Sequence, residues 1–328
     1  MSFPRIDRIQ PMKAPIWAQG GHLQTIISHL LPYPRVQVPL QEEIVDLGDG
    51  DKLKIYIHEG LTPTFIVLFH GLAGDITSDY MQRTALVAQQ MGLGFVLVNH
   101  RGAHSGIALA RHPYHSGRGE DASRVFEFLR KKYPHYFLIG VGVSLSGSIL
   151  LNLVAGRRGD CKPDAVITAN APLDLKKGSM RLGQGLNRIY DFRFVRRLNK
   201  DLEKKHQLGL LDEKVIIPMT ANLYDFDAIY TGPATEFKTR ENYYLQCSVK
   251  DHLEKVDRPT IMMTAQDDPF VDFLDYLESK KSPMIQTHIE SSGGHVGYLG
   301  IDPNTGLPFR WLDYFMKEAI LELSQHGA

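Results

Sequence analysis

The chain is poor in cysteine, has no net charge and contains no long apolar run, and each absence excludes a class of protein. Its two cysteines, Cys161 and Cys247, are too few for a disulfide framework and form no C-x-x-C pair. Lysine plus arginine and aspartate plus glutamate both number 37, so net charge gives no reason to expect a nucleic-acid partner. No stretch approaches the roughly 18 apolar residues of a membrane span, and the N-terminus lacks the apolar core of a signal peptide. These absences favour a cytoplasmic protein in a reducing compartment.

The rest of the composition is that of an ordinary globular protein. Of the 328 residues, 43% are hydrophobic and 23% are charged. A chain of this length buries a large core without a disulfide or a structural metal. It therefore predicts one large domain, or one domain with an insertion.

Short apolar runs alternate with helical stretches along most of the chain. Residues 53–58 alternate apolar and polar side chains, as in a half-buried strand. The other predicted strands are 64–69, 95–98, 137–143, 165–169, 260–265 and 285–289. Strands that alternate with helices indicate an α/β fold, with a mostly parallel central sheet and helices on both faces.

The alternation stops between residues 172 and 256. Residues 176–205 hold ten lysines and arginines against three acids, interleaved with apolar side chains. We interpret 172–256 as a helical cap inserted over the carboxyl edge of the sheet. The core would then consist of residues 1–171, which begin with an irregular N-terminal arm over residues 1–40, and residues 257–328.

The stretch around Ser144 organises the chain. Ser144 follows an apolar strand and precedes a leucine-rich helix, in the frame Gly142-Val-Ser-Leu-Ser-Gly147. This nearly matches the G-x-S-x-G elbow, in which a strained strand-to-helix turn exposes a nucleophilic serine. Small residues are needed on both sides because the strand and helix backbones nearly touch there. Here Ser146 takes the place of the second glycine.

Two further side chains complete a catalytic constellation. Asp268 follows the strand at 260–265, and His295 lies in a glycine-rich loop after the last strand. A serine hydroxyl needs a histidine as base, and a carboxylate orients that histidine. The chain order Ser, Asp, His is the order of the α/β-hydrolases. Ser144, Asp268 and His295 are therefore the predicted triad, with Asp268 preferred to Asp267.

Attack on a carbonyl also requires two donors for the oxyanion. We expect the backbone N–H of Leu145, directly after the nucleophile, and that of Leu72, in the loop after the strand at 64–69. His70 is expected to brace that loop.

Four histidines within residues 100–115 suggest a metal site as a rival interpretation. They are His100, His104, His112 and His115. The segment is rich in glycine and proline rather than helical, and no cysteine or carboxylate cluster joins it. We therefore predict no metal, no cofactor, and a loop or pocket role for His115.

With these residues in view, the chain resembles the YheT-like branch of the α/β-hydrolases. The resemblance is carried by seven motifs in order: Gly21-His-Leu-Gln-Thr25, His70-Gly-Leu-Ala-Gly74, Asn99-His-Arg-Gly102, Tyr114-His-Ser-Gly117, the Ser144 elbow, Asp267-Asp-Pro-Phe270 and Gly293-Gly-His-Val-Gly297. The family has glycine at the position of Ser146. The resemblance implies carboxylic-ester hydrolysis, with acylglycerol or phospholipid activity in some relatives.

The sequence therefore predicts a serine esterase or lipase-like hydrolase that acts on a small-molecule acyl ester through an acyl-enzyme. Two alternatives stay open: a non-catalytic or vestigial binding protein, and a thioesterase or acyltransferase with the same triad. The basic residues of the cap suggest peripheral contact with anionic membrane lipids, against the alternative of a solvated helix face. The acyl chain length and the oligomeric state are left undecided.

Overall fold

A computed structural model describes residues 6–325 of the chain. The first five residues of the predicted arm and the last three of the predicted core lie outside this range. Within residues 6–325, ten strands are present: β1 (Gln41–Asp46), β2 (Lys52–His58), β3 (Thr64–Phe69), β4 (Gly94–Val98), β5 (Phe137–Val143), β6 (Ala165–Ala169), β7 (Thr260–Ala265), β8 (Ile285–Glu290), β9 (Leu299–Ile301) and β10 (Pro308–Arg310).

The same range contains ten α-helices. They are α1 (Gly21–Leu30), α2 (Asp79–Gln90), α3 (Gly119–Lys132), α4 (Leu145–Val154), α5 (Leu175–Leu182), α6 (Arg188–Gln207), α7 (Leu223–Phe226), α8 (Arg240–Cys247), α9 (Phe273–Glu278) and α10 (Trp311–Ser324). None of these helices combines the length and the apolar character needed to cross a lipid bilayer.

The first eight strands form one sheet in the order β1-β2-β4-β3-β5-β6-β7-β8. β2 is antiparallel to both of its neighbours, and every pair from β4 to β8 is parallel. Because parallel strands end at the same edge, the loops after β3, β5, β6, β7 and β8 all meet at one side of the sheet. The predicted fold class is confirmed.

The inner strands β3 to β7 are nearly continuous apolar runs because helices cover both faces of the sheet. On β3, Val67 belongs to the buried cluster that includes side chains of α3 and α4. Its neighbour Leu68 belongs to the cluster on the opposite face, with α2 and α10. A strand with one wet face would instead alternate apolar and polar residues, as the sequence of β2 does.

The helix α1 was missed by the sequence analysis, which predicted an irregular arm over residues 1–40. The reason is that its buried side chains are polar. Gln24 and Ser28 are buried, whereas Leu23, Ile26 and Leu30 are exposed. Gln24 donates to the carbonyls of Ala18 and Leu299 and accepts from the Leu299 N–H. A hydrophobic pattern cannot reveal a helix that is held in place by an amide side chain.

Residues 172–256 contain helices α5 to α8 and no strand, as the sequence predicted. We call this stretch the helical segment. Its apolar side chains form a buried cluster of their own, with members on α5, α6 and α7 and with Phe270 from the loop after β7. The helical segment therefore lies against the edge of the sheet where the parallel strands end. Its role as a cap stays a prediction.

Candidate active site

The strand-to-helix turn at Ser144 has the strained geometry of a nucleophile elbow. Ser144 has φ 54° and ψ −123°, a left-handed backbone that side-chain-bearing residues adopt rarely. The turn places the hydroxyl beyond the carboxyl end of β5. It is tight because a Cβ on Gly142 would lie 2.5 Å from the carbonyl oxygen of Ser146. Gly142 is therefore required by the close approach of strand and helix.

Ser146, which replaces the second glycine of the elbow, is accommodated because its side chain faces a polar site. It is fully buried, and its hydroxyl donates to the carbonyl of His70. The Nε2 of His100 lies 2.7 Å from the Ser146 hydroxyl and 3.0 Å from the same carbonyl. The next residue, Gly147, is the one that must lack a side chain, because a Cβ there would lie 2.5 Å from the Cβ of Ala171.

A continuous hydrogen-bonded chain links three side chains that are far apart in sequence. The Nε2 of His295 lies 2.9 Å from the Ser144 hydroxyl. Its Nδ1 lies 2.9 Å from Oδ2 of Asp268. An ionised carboxylate only accepts hydrogen bonds, so Nδ1 carries the proton and Nε2 is free to accept from the serine. The ring of Phe270 packs against the imidazole of His295, with the two ring centroids 4.6 Å apart.

Both carboxylate oxygens of Asp268 accept hydrogen bonds. It is 2% exposed. Its Oδ1 accepts from the backbone N–H groups of Phe270 and Val271, at 2.8 and 3.0 Å. Its Oδ2 accepts from the side-chain amide of Asn170, at 2.7 Å, as well as from His295. These hydrogen bonds fix the position of a carboxylate that solvent hardly reaches.

Asp267 has a different role from that of its neighbour. Its carboxylate accepts from the N–H of Gly294, at 2.8 Å, and from the hydroxyl of Ser292, at 3.0 Å. It therefore braces the loop that carries His295 without bonding to the imidazole. The structure thus brings Asp268, rather than Asp267, to the imidazole.

In the loop after β3, the backbone N–H groups on both sides of Leu72 are hydrogen-bonded, and Leu72 lines the same cavity as Ser144. The N–H of Gly71 donates to the hydroxyl of Tyr80, at 2.8 Å, and that of Ala73 donates to the hydroxyl of Tyr114, at 2.7 Å. Among residues 6–325, no acceptor is recorded for the N–H of Leu72 between them. The N–H of Leu145, first residue of α4, likewise has no partner within its helix by helix geometry. Two donors are thus available beside Ser144.

His70 supports this loop. Its Nε2 accepts from the backbone N–H of His100, so its Nδ1 carries the proton and donates to the Gly71 carbonyl, at 2.8 Å. Burial lowers the pKa of His70 to about 4, so the ring is neutral at physiological pH.

A family model for the alpha/beta hydrolase fold matches residues 64–300. The match covers most of the chain and includes the elbow, the acid and the histidine loop. The chain belongs to the α/β-hydrolase family.

Relatives of this α/β-hydrolase extend over nearly its whole length. YheT of Escherichia coli (strain K12), named as a candidate esterase, is 28% identical over 311 residues, which are 90% of this chain and 91% of that one. Phospholipase ABHD3 of Bos taurus is 24% identical over 331 residues, 95% of this chain and 78% of that one. The predicted resemblance to the YheT-like branch is confirmed.

A solved structure shares the fold at low identity. An esterase of Pyrococcus furiosus superposes with a TM-score of 0.57 at 13% identity, over 90% of this chain and 97% of that one. At this identity the likeness concerns the fold alone.

A cavity of about 130 Å³ lies between Ser144 and the helical segment of the α/β-hydrolase. Ser144, His295, Leu72 and Leu145 line its inner end. The side chains that the helical segment contributes are mainly apolar: Leu175, Leu182, Phe194, Leu198, Leu202, Leu223 and Phe226. The walls are therefore suited to an apolar ligand group next to the serine.

Two aspartates and one lysine of the helical segment also line this cavity. Asp201 and Lys205 project from α6, and Asp227 follows α7. Burial raises the pKa of Asp227 to about 6, while the hydroxyl of Tyr244 donates to it at 2.7 Å. Burial lowers the pKa of Lys205 to about 8. Lys205 donates to the carbonyls of Arg111 and His112, which holds the loop after β4 against α6.

Several residues of the site escaped the sequence analysis. Asn170 bonds the acid, Thr25 accepts from the backbone N–H of His295 at 2.8 Å, and the hydroxyls of Tyr80 and Tyr114 hold the loop after β3. Asn170 directly follows β6 at the edge where the other site residues lie, and Thr25 and Tyr114 belong to motifs that carry the family resemblance. The contacts that Thr25, Tyr80 and Tyr114 make come from helices or loops whose position sequence patterns do not reveal.

The four histidines of residues 100–115 occupy different places. His100 lies under the elbow, His104 is half-exposed near Asp75, and His115 is buried in the cavity wall. His112 lies against Asp51 and Asp49, so carboxylates do join one histidine, contrary to the expectation from sequence.

The carboxylates at His112 are already occupied. Arg101 donates to both Asp49 and Asp51. Asp51 also accepts from the backbone N–H groups of Arg111 and His112 and from Nδ1 of His112. Arg101 and these carboxylates form an ion-pair network, which holds the loop after β4 against the loop before β2.

Proposed function

We propose that this α/β-hydrolase cleaves carboxylic esters through an acyl-enzyme formed on Ser144. The observation that carries the proposal is the unbroken series of contacts from Asp268 through His295 to Ser144, both 2.9 Å long, at the inner end of an apolar cavity. Two relatives, named as a candidate esterase and as a phospholipase, support ester hydrolysis as the reaction class.

The first half-reaction follows from the tautomer of His295. Nε2 accepts the serine proton while Oγ bonds to the acyl carbon. The imidazolium that forms is stabilised by Asp268, and it then gives its proton to the leaving alcohol. In the second half-reaction, water loses a proton to Nε2 and attacks the acyl-enzyme. The carboxylic acid leaves, and Ser144 regains its proton.

The negative charge that develops on the acyl oxygen needs fixed donors. We propose the N–H groups of Leu72 and Leu145 for this role. Tyr80 and Tyr114 occupy the N–H groups on both sides of Leu72, so the loop cannot turn a different N–H toward the oxyanion without breaking a buried bond. Preorganised donors of this kind are each worth about 3 kcal/mol to an acyl-transfer transition state.

The substrate class follows from the cavity walls. Their apolar side chains favour a hydrocarbon acyl group over a charged one, and we propose a small-molecule ester with such a group as substrate. We also propose that the helical segment serves as the cap of this cavity, that its basic residues contact anionic lipids, and that the protein works in the cytoplasm without a cofactor or a nucleic-acid partner.

The test is hydrolysis of short p-nitrophenyl esters by the wild type, Ser144→Ala and the control Ser105→Ala, whose serine is exposed and does not line the cavity. We expect Ser144→Ala to lose activity by about a thousandfold or more, and the control to retain it. Undiminished turnover in Ser144→Ala would remove Ser144 from the reaction.

A second measurement separates an active enzyme from a vestigial one. A fluorophosphonate should label the wild type at Ser144, with a Ser–O–P bond formed and fluoride released, because only an activated serine displaces fluoride readily. His295→Ala should label far more slowly. Equal labelling of the two proteins would argue against activation by the histidine.

A further inference from the structure

The helix α6 has two faces of different character. Tyr190, Phe194 and Leu198 point inward, where Phe194 and Leu198 line the cavity and Tyr190 packs against Phe270. The opposite face is exposed. It carries Ile189, Phe192, Arg193, Arg196 and Lys200, at the spacing that places side chains on one side of a helix.

An exposed apolar stripe on α1 adjoins this outer face. Leu23, Ile26 and Leu30 are exposed by 46%, 39% and 73%, at positions i, i+3 and i+7. Two contacts hold α1 beside α6: the ring nitrogen of His22 with the Tyr190 hydroxyl, at 3.1 Å, and Arg193 with the imidazole of His29, at 3.2 Å.

Apolar side chains of α6 extend the stripe. Ile189 is 58% exposed and Phe192 is 52% exposed, and Trp17 is 47% exposed just before α1. We call Leu23, Ile26, Leu30, Ile189 and Phe192 the outer patch. A row of outward apolar residues on two adjacent helices is more than the scattered exposed leucines of an ordinary surface.

Basic side chains flank the outer patch. The bases of the exposed face are Arg193, Arg196 and Lys200, and Arg188 flanks it. Within residues 6–325, none of these four makes an ion pair with a carboxylate, and α1 contains no acidic residue. Apolar side chains flanked by bases that have no carboxylate partner complement a surface that is apolar beneath and anionic at its rim.

The outer patch also lies close to the cavity. Tyr190, one residue from Ile189, packs 4.8 Å from Phe270, whose ring covers His295. A surface that seats on the outer patch would therefore lie next to the helix that forms the cavity wall.

We infer that the outer patch binds the surface of an anionic phospholipid bilayer and thereby presents the cavity to esters held in that bilayer. This inference rests on the proposed function, because it names where the ester substrate comes from. It locates the lipid contact on α1 together with α6, rather than on the basic residues of the helical segment alone.

The test is flotation of the full chain with vesicles of phosphatidylcholine alone, or of one part phosphatidylglycerol with two parts phosphatidylcholine. The wild type should float with the anionic vesicles, and less so in high salt. Ile26→Gln/Phe192→Gln should lose most of this binding. Arg196→Gln should weaken it by about fivefold, the effect of one base near an anionic surface.

The matched control is Leu61→Gln, which replaces another apolar residue, 94% exposed, outside the patch. It should float like the wild type. Equal flotation of the wild type with both kinds of vesicle, or unchanged binding by Ile26→Gln/Phe192→Gln, would overturn the inference. So would a patch variant that converts a dimer into a monomer but still binds vesicles, because a second copy would then be the occupant.

The two proposals fail in different experiments. Hydrolysis of soluble p-nitrophenyl acetate should be the same in the wild type and the patch variants. Conversely, Ser144→Ala should float like the wild type. If the wild type floats equally with both kinds of vesicle but hydrolyses soluble esters, the bilayer inference fails and the proposed function survives. If Ser144→Ala is active and floats like the wild type, the proposed function fails and the assignment of the outer patch as a bilayer-binding surface survives.

Discussion

At the scale of single residues, Ser146 shows how one departure from a motif is absorbed. Its hydroxyl bonds the carbonyl of His70, which directly precedes Gly71 and Leu72. The elbow and the loop with the proposed second oxyanion donor are therefore connected through this side chain. Glycine at position 146 has no side chain to make this connection. The serine therefore adds a hydrogen bond between the elbow and the loop after β3.

Ser146→Ala should therefore lower both stability and turnover. We expect the free energy of unfolding to fall by about 1 kcal/mol for the lost buried hydrogen bond. The kcat for a short ester should also fall, by about tenfold, because the loop after β3 is held less firmly. Urea unfolding and steady-state kinetics measure the two effects.

Ser148→Ala is the control for this prediction. Ser148 is also buried in α4, but its hydroxyl bonds the carbonyl of Pro172 instead of the loop after β3. It should lose similar stability with little change in kcat. An equal loss of kcat in the two variants would contradict the role given to Ser146.

How far the site could be predicted depends on where each residue lies. Ser144, Asp268 and His295 follow strands, and strands of a parallel sheet end at one edge, so their meeting could be expected from sequence. The roles of Tyr80 and Tyr114 could not, because nothing in a sequence indicates that hydroxyls from α2 and from a distant loop meet the N–H groups of Gly71 and Ala73. The assignment of catalytic roles stays a prediction.

At the scale of elements, α1 is the part of the fold that the sequence concealed. The strands were predictable because apolar runs buried on both faces are unambiguous, and the observed β3, β5, β6 and β7 have the predicted bounds. α1 buries Gln24 and presents leucine and isoleucine to solvent, which reverses the usual pattern. Its function is positional, since Thr25 accepts from the backbone N–H of His295.

Thr25→Val should lower kcat with little change in KM. The valine has the same shape but offers no acceptor, so the His295 loop shifts away from Ser144. A displacement of about 1 Å of a reacting group costs up to about a hundredfold in rate. Kinetics on a short ester, with the pH dependence of kcat, measure this effect.

Thr25→Ser should restore most of the rate, because it restores the hydroxyl oxygen. If Thr25→Ser were as slow as Thr25→Val, the methyl group rather than the hydrogen bond would be important. A rise in KM alone in the valine variant would place Thr25 in substrate binding instead.

At the scale of the whole molecule, buried histidines determine how stability responds to acid. Burial lowers the pKa of His70 to about 4 and lowers the pKa values of His100 and His115 as well. In the unfolded chain these rings regain an ordinary pKa of about 6.5. Between these values the unfolded state binds more protons, so the free energy of unfolding rises with pH. Asp227 acts in the opposite direction, because its raised pKa makes the folded state bind the extra proton between about pH 4 and 6.

We therefore expect the protein to lose stability as the pH falls from about 6.5 toward 4. Each buried histidine contributes a slope of about 1.4 kcal/mol per pH unit over the whole of this range. The aspartates with raised pKa values, Asp191, Asp201, Asp227 and Asp313, oppose this slope, and they do so only at the acid end of the range, near their own titrations. His115→Gln should reduce the slope of the free energy of unfolding against pH, near pH 5, by about 1.4 kcal/mol per pH unit, the contribution of one histidine. Urea unfolding at a series of pH values measures it.

His135→Gln is the control, because His135 is exposed. It should leave the slope unchanged. A slope that is the same in the wild type, His115→Gln and His135→Gln would show that His115 does not stay neutral in the folded protein.

The hydrogen bond between Thr25 and the backbone of His295 joins residues 270 positions apart. During synthesis, α1 leaves the ribosome long before the histidine loop exists, and every strand of the main sheet is complete before that loop is made. A nascent chain that stalls after β8 would hold the nucleophile, the acid and the whole sheet, yet it would lack the imidazole. Hydrolysis, if it proceeds as proposed, begins only when this late loop meets a helix that was made some 270 residues earlier.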